Sequence, residues 1–142
     1  MTSEPVAGPR AGTPPDDGPE DFVEIALPAD GAYLSVLRTA TAGLAARLDF
    51  TIDEIEDLRI AVDEACAVLL AQVVPDARIT CRFALGAGSL LVAVSAPTRE
   101  GQVPARDTFA WTVLTALTDG VKASADDDRV VTIELHKKRE QS

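Results

Sequence analysis

A short segment holds the residues whose types and spacing could do chemistry. Between Asp57 and Leu70 it carries the carboxylates of Asp57, Asp63 and Glu64. A carboxylate can accept a proton from an attacking nucleophile, or bind magnesium through its oxygen atoms. Val68 follows Glu64 by four residues, on the same side of a helix, and offers no oxygen ligand. The alternative interpretation of Glu64 is an acid on a solvated helix face.

Other candidate residues have simpler interpretations. Gly86-Ala87-Gly88 lies between two predicted strands with no helix behind it, so a hairpin turn is expected rather than a phosphate-binding loop. His136 has no acid or nucleophile motif beside it and is expected at the surface. Lys137-Lys138-Arg139 is expected to form a solvated basic tail. Trp111 is expected to pack in the core or under a lid.

The elements that must position these residues follow from the hydrophobic pattern. Apolar residues alternate along three predicted strands, which are Phe22–Leu27, Ile79–Leu85 and Val131–Leu135. Leu90–Val94 is predicted as a strand that is apolar on both faces, and Val121–Ser124 as a weak strand. Helical spacing predicts a helix over 32–47 and another over 109–117, closed by Gly120. A third helix opens with a capping box at Thr51 and Glu54. The order β-α-α-β-β-α-β-β predicts an α+β two-layer sandwich, with a mixed, mainly antiparallel sheet covered on one face by helices.

Composition sets the domain limits. Residues 1–20 hold five of the nine prolines and little to bury, which predicts a disordered tail before a single domain at 21–142. Apolar residues make up 46% of the chain, enough for a core. Cys66 and Cys81 belong to no metal-ligand cluster, and we expect buried, reduced thiols.

Charge and hydropathy restrict the classes of partner and the cellular location that we expect for this protein. The net charge of −10 argues against direct contact with nucleic acid or an anionic membrane, and favours a basic partner surface. Acidity for solubility alone is the alternative. No apolar run is long enough to span a membrane, and the N-terminus lacks the pattern of a secretion signal, so we expect a cytoplasmic protein.

Two motifs resemble one known family. Residues 58–66 read Leu-Arg-Ile-Ala-Val-Asp-Glu-Ala-Cys, and residues 109–117 read Phe-Ala-Trp-Thr-Val-Leu-Thr-Ala-Leu. With the element order, they resemble RsbW-like anti-sigma factors, serine kinases built on the GHKL (Bergerat) ATPase fold, across about residues 22–138. The second motif is typical of the actinobacterial branch. The resemblance implies that fold, and it places Glu64 where the family has the base that activates the target serine for attack on ATP.

The chain departs from this family at all three nucleotide-binding motifs. The asparagine that holds magnesium is Val68 here, and the acid that accepts the adenine amino group corresponds to a position near Ala96. A buried amino group without an acceptor costs about 1–3 kcal/mol. The glycines that admit phosphates at the last helix are replaced by bulky Phe109 and Trp111, which we expect to obstruct close approach. We therefore expect no required cofactor, no metal site, and at most weak use of ATP and magnesium.

The resemblance also singles out Arg38. In the family, an arginine on the first helix contacts both the sigma factor and the anti-anti-sigma protein, and the flanking residues align around Arg38 without gaps. A guanidinium can bind a carboxylate or backbone carbonyls through two hydrogen bonds, which suits a switchable interface. The alternative is an ordinary arginine on a helix surface.

These observations lead to two functions of different classes. The first is an anti-sigma factor that sequesters an alternative sigma factor of the stress or sporulation type. An anti-anti-sigma STAS-domain protein would release it, and the resemblance implies a homodimer. The alternative is an active serine/threonine kinase that phosphorylates the STAS protein, with Asp57 or Asp63 reaching the metal. A GHKL-like scaffold recruited to another partner is a third interpretation.

Overall fold

The computed structural model describes residues 21–140, so the tail predicted for residues 1–20 lies outside the described residues. Within them the strands are β1 (Asp21–Pro28), β2 (Arg78–Gly86), β3 (Ser89–Pro97), β4 (Gly120–Ala125) and β5 (Val130–Lys138). The helices are α1 (Leu34–Arg47), α2 (Ile52–Leu70) and α3 (Phe109–Leu117), with a 3-10 turn at Gly31–Tyr33 before α1. The predicted order β-α-α-β-β-α-β-β is confirmed.

The five strands form one sheet in the order β1-β2-β3-β5-β4. Every pairing between them is antiparallel, so the parallel component allowed by a mixed sheet is not found among the described strands. Gly86 pairs with Ser89 across the hairpin between β2 and β3, and Gly88 has a φ of 70°. That left-handed backbone favours glycine. The prediction that Gly86-Ala87-Gly88 is a hairpin turn is therefore confirmed.

The helices cover one face of the sheet, which confirms the two-layer sandwich. Helix α2 packs on β3 and β5, while α1 and α3 pack against α2. The apolar stripe of α2 is fully buried at Leu58, Val62, Ala65 and Leu69. Facing it, alternate residues of β2 and β3 are buried: Ile79, Cys81, Phe83, Leu85, Leu90, Val92, Val94 and Ala96. The period of two places every second strand residue in the core, and no helix within residues 21–140 covers the opposite sheet face.

The predicted capping box opens α2 as expected. The Thr51 hydroxyl oxygen accepts a hydrogen bond from the Glu54 backbone N–H at 3.1 Å. In return, Oε1 of Glu54 accepts the Thr51 backbone N–H at 2.7 Å. These bonds satisfy donors that a helix start leaves unpaired. None of the helices within residues 21–140 has the length and apolar character needed to cross a membrane.

Helix α3 ends differently from the prediction that placed Gly120 just past it. Thr118 takes an extended conformation, and its hydroxyl donates to the Leu114 carbonyl at 2.7 Å. This satisfies a free helix-end carbonyl without a left-handed residue. Gly120 is instead the first residue of β4.

The prediction of a solvated basic tail is wrong for Lys137. This residue belongs to β5, and its side chain is only 12% exposed. Its Nζ donates to the Leu117 carbonyl at 2.9 Å, at the end of α3, and lies 3.6 Å from Oδ2 of Asp57. A long aliphatic stem can be buried while its charge reaches the negative end of a helix. The sequence pattern does not predict the burial of Lys137, because its contacts come from elements that are distant along the chain.

Candidate functional site

A cavity of about 570 Å³ lies between the end of α2 and the loop that leads into α3. Its lining includes Val68 and Gln72 from the α2 side. The loop contributes Arg99, Glu100 and Gln102. This is the position at which the resemblance predicts a nucleotide pocket.

Val68 and Ala96 are apolar side chains at, or near, the positions where the resemblance predicts nucleotide ligands. Val68 lines the cavity and also packs against the hydrophobic core. Ala96 is buried in β3, on the helix-facing side. Among residues 21–140, no three His, Cys, Asp or Glu side chains converge as a metal-binding group. Because magnesium requires hard oxygen ligands and the adenine amino group an acceptor, these positions do not fit magnesium ATP.

The two bulky residues at the start of α3 lie outside the cavity. Phe109 is 78% exposed. Trp111 is buried, and the Arg106 guanidinium lies over the Trp111 ring, 5.1 Å from the ring centroid. The core-packing interpretation of Trp111 is therefore the one observed. One backbone amide at the start of α3 already has a partner, because the Thr108 hydroxyl oxygen accepts a hydrogen bond from the Trp111 N–H at 3.2 Å. A threonine cap uses a helix-start amide that could otherwise bind phosphate.

The loop over the cavity is fixed to the end of α2. Nε2 of Gln72 donates to the Gln102 carbonyl at 2.7 Å, and Oε1 of Gln72 accepts the Gln102 backbone N–H at 3.3 Å. The Arg99 backbone N–H donates to the Gln72 carbonyl at 2.9 Å, and Nη2 of Arg99 to the Ala71 carbonyl at 3.2 Å. The Gln72 carboxamide therefore forms hydrogen bonds with both the N–H and the C=O of Gln102, as the backbone of a neighbouring β-strand would. We call these contacts of Gln72 with Gln102 the loop clamp.

The three acidic side chains of α2 considered as catalytic or metal-binding groups do not converge on one site. Glu64 is half-buried, one turn before Val68, and its carboxylate forms no hydrogen bond or ion pair with side chains or backbone of residues 21–140. Asp63 and Asp57, the substitutes considered for a metal ligand, instead contact Arg38 and Lys137 respectively. His136 lies half-buried on the uncovered face of the sheet, away from these acids.

Arg38 and Asp63 join the two long helices. Nε of Arg38 donates to both carboxylate oxygens of Asp63 at 2.9 Å. Burial is the main cause that raises the pKa of the Cys66 thiol to about 12; the charge of Asp63 adds to this rise and the charge of Arg38 opposes it. The residue that sequence reasoning missed here is the partner of Arg38. The sequence marks Asp63 as an acid, but only the packing of α1 on α2 brings it to Arg38.

The fold defines a class of protein: an α+β two-layer sandwich consistent with the GHKL ATPase fold. No family model matches the chain. Over 104 residues, the chain is 35% identical to the anti-sigma-F factor RsbW of Mycobacterium tuberculosis, covering 73% of this chain and 62% of that protein. A stretch of 46 residues is 48% identical to the serine-protein kinase RsbW of Bacillus subtilis (strain 168), covering 32% of this chain and 29% of that protein.

A solved structure agrees on the fold. The crystal structure of the RsbU and RsbW domains of a Mycobacterium tuberculosis protein matches with a TM-score of 0.68 at 16% identity, covering 85% of this chain and 32% of that chain. These matches confirm the resemblance to RsbW-like proteins. The chain spans 62% of the length of the mycobacterial relative.

Proposed function

We propose that this chain is an anti-sigma factor that binds and sequesters an alternative sigma factor of the stress or sporulation type. The lining of the cavity supports a binding role over a catalytic one. Val68 stands where the family has its magnesium ligand, within a helix that otherwise keeps the family pattern. The mycobacterial relative is named an anti-sigma-F factor, which agrees with this role.

The proposal includes a setting and partners. The protein would act in the cytoplasm as a homodimer, require no cofactor, and release the sigma factor to an anti-anti-sigma STAS-domain protein. Arg38, half-exposed on the helical layer, would contact both partners in turn. The net charge of −10 favours a basic face of the sigma factor.

The test is co-elution with each alternative sigma factor of the source organism, in nucleotide-free buffer containing EDTA. We expect one stable complex. Arg38→Ala should weaken it about tenfold or more, as for an arginine at the centre of an interface, while the loss of the half-exposed ion pair with Asp63 should lower the free energy of unfolding by less than about 1 kcal/mol. Failure to bind any sigma factor in either EDTA or magnesium ATP would contradict the anti-sigma role. A complex only with magnesium ATP would contradict nucleotide independence.

A kinase is the second candidate, and the retained Glu64 favours it. Glu64 lies one helical turn from the cavity-lining Val68, and the Bacillus subtilis relative is named a serine-protein kinase. The test is transfer of labelled phosphate from ATP to the STAS protein. Transfer by the wild type that is lost in Glu64→Ala would establish this function, and its absence from the wild type would reject it.

A further inference from the structure

Arg38 is fixed on the surface of the helical layer before any partner binds. Its Nε contacts both Asp63 oxygens at 2.9 Å, from a position 25 residues away in the chain. The side chains of Arg38 and Asp63 are 39% and 40% exposed, so a partner can reach the pair. The backbone of α2 that carries Asp63 is fixed against the core, because the neighbouring residues Val62 and Ala65 are completely buried.

The contact uses only one part of the guanidinium. Arginine has five N–H donors, of which Nε carries one and the two Nη atoms carry four. Within residues 21–140, the hydrogen bonds of the Arg38 side chain go to Asp63, and all of them start from Nε. As far as residues 21–140 are concerned, the Nη groups are therefore free to bind acceptors from a partner. Asp63 and a partner group can contact the guanidinium at the same time.

We propose that Asp63 is a positioning residue, which holds the Arg38 guanidinium by Nε and presents its Nη groups to the bound sigma factor. This inference rests on the proposed function, in which Arg38 contacts that partner. An unrestrained arginine loses rotamer freedom when it binds, and Asp63 removes part of that cost beforehand. The competing mechanism is that Asp63 blocks Arg38 and must be displaced. The two mechanisms predict opposite effects of removing Asp63.

The first measurement needs no partner. In ¹⁵N NMR spectra of the free protein, we expect a resolved, ordered Nε–Hε signal from Arg38, assigned by its loss in Arg38→Lys. Asp63→Ala should move this signal into the averaged position of free arginines, while Asp63→Glu should retain part of its order. An Arg38 signal that is unchanged in Asp63→Ala would overturn the proposal.

The second measurement is affinity for the sigma factor found by co-elution. Asp63→Ala should weaken binding about three- to tenfold, the scale of ordering one long side chain, and Asp63→Glu should recover part of the loss. Glu24→Gln is the matched control, because Glu24 pairs with Arg82 on the uncovered sheet face. It removes one surface carboxylate in the same way and should leave affinity unchanged.

A double-mutant cycle separates positioning from direct contact. In an Arg38→Ala background, Asp63→Ala should cause no further loss, because Asp63 acts through Arg38. Further weakening would instead show that Asp63 touches the sigma factor itself, and tighter binding by Asp63→Ala alone would show that it blocks Arg38. Either result overturns the proposal. If wild-type protein binds no sigma factor, the proposed function fails; if it binds and Asp63→Ala binds equally well, only this inference fails.

Discussion

At the scale of single residues, Glu54 connects two distant parts of the chain. It is only 7% exposed, and its Oε1 accepts the Thr51 backbone N–H while its Oε2 accepts the Glu140 backbone N–H at 2.7 Å. The hydrogen bond from Thr51 is the main cause that lowers the pKa of this carboxyl; burial opposes it and the bond from Glu140 adds to it. One carboxylate thereby caps α2 and holds the segment that follows β5.

We expect Glu54→Gln to lower the free energy of unfolding by about 1–2 kcal/mol near neutral pH, because a carboxamide has one acceptor oxygen and its NH2 group cannot accept the second hydrogen bond. The folded pKa lies below the ordinary value of 4.5. The ionised group therefore stabilises the fold fully above that value, and this contribution is lost as the pH falls through the folded pKa. Chemical denaturation near pH 7 and near pH 3.5 checks both statements.

Glu56→Gln is the control for Glu54→Gln. Glu56 lies on the same helix and pairs with Arg59 at 2.8 Å, but its side chain is exposed. Loss of an exposed pair should change stability by less than about 1 kcal/mol. If the free energy of unfolding of the wild type exceeds that of Glu54→Gln by the same amount at both pH values, the charge of Glu54 does not have the stabilising role assigned to it.

At the scale of elements, the loop clamp determines how firmly the loop lies over the cavity. The clamp joins the end of α2 to the loop through two hydrogen bonds of the Gln72 side chain. These bonds come from the chain itself and require no ligand. A loop held in this way can keep one conformation in nucleotide-free protein.

We expect Gln72→Ala to increase hydrogen exchange of the Gln102 amide by about three- to tenfold, because the variant removes its acceptor. Native-state hydrogen exchange followed by NMR measures this directly. Gln102→Ala provides a matched control, since Gln102 enters the clamp through its backbone N–H and C=O. Equal exchange of residue 102 in the wild type and Gln72→Ala would show that the clamp does not hold the loop.

The same scale explains how much of the structure the sequence could predict. Strands such as β2 and the capping box of α2 depend on residues a few positions apart, and both are confirmed. The hydrogen-bond partners of the Arg38, Gln72 and Lys137 side chains lie 20 to 30 residues away in the chain, and the local sequence pattern does not predict them. The sequence alone predicts that Val68 offers no metal ligand. It does not predict that Phe109 lies outside the cavity, because that position depends on how α3 packs.

At the scale of the whole molecule, the two cysteines report on the integrity of the core. Cys66 on α2 and Cys81 on β2 are 1% and 0% exposed and are free thiols, as predicted from sequence. Burial is the main cause that raises the pKa of Cys66 to about 12, and burial also raises the pKa of Cys81. Since the thiolate is the reactive form, both groups are protected by access and by ionisation.

A disulfide reagent at about pH 8 should therefore label neither thiol in the native protein on a time scale of minutes. With added urea, the two thiols should become reactive together, because the helix and strand that carry them belong to one core. Mass spectrometry of partly labelled samples should then contain unlabelled and doubly labelled chains, and fully denatured protein should titrate two thiols. Abundant singly labelled chains below the unfolding transition would contradict this, since they would require α2 to separate from β2 while the rest of the core stays closed.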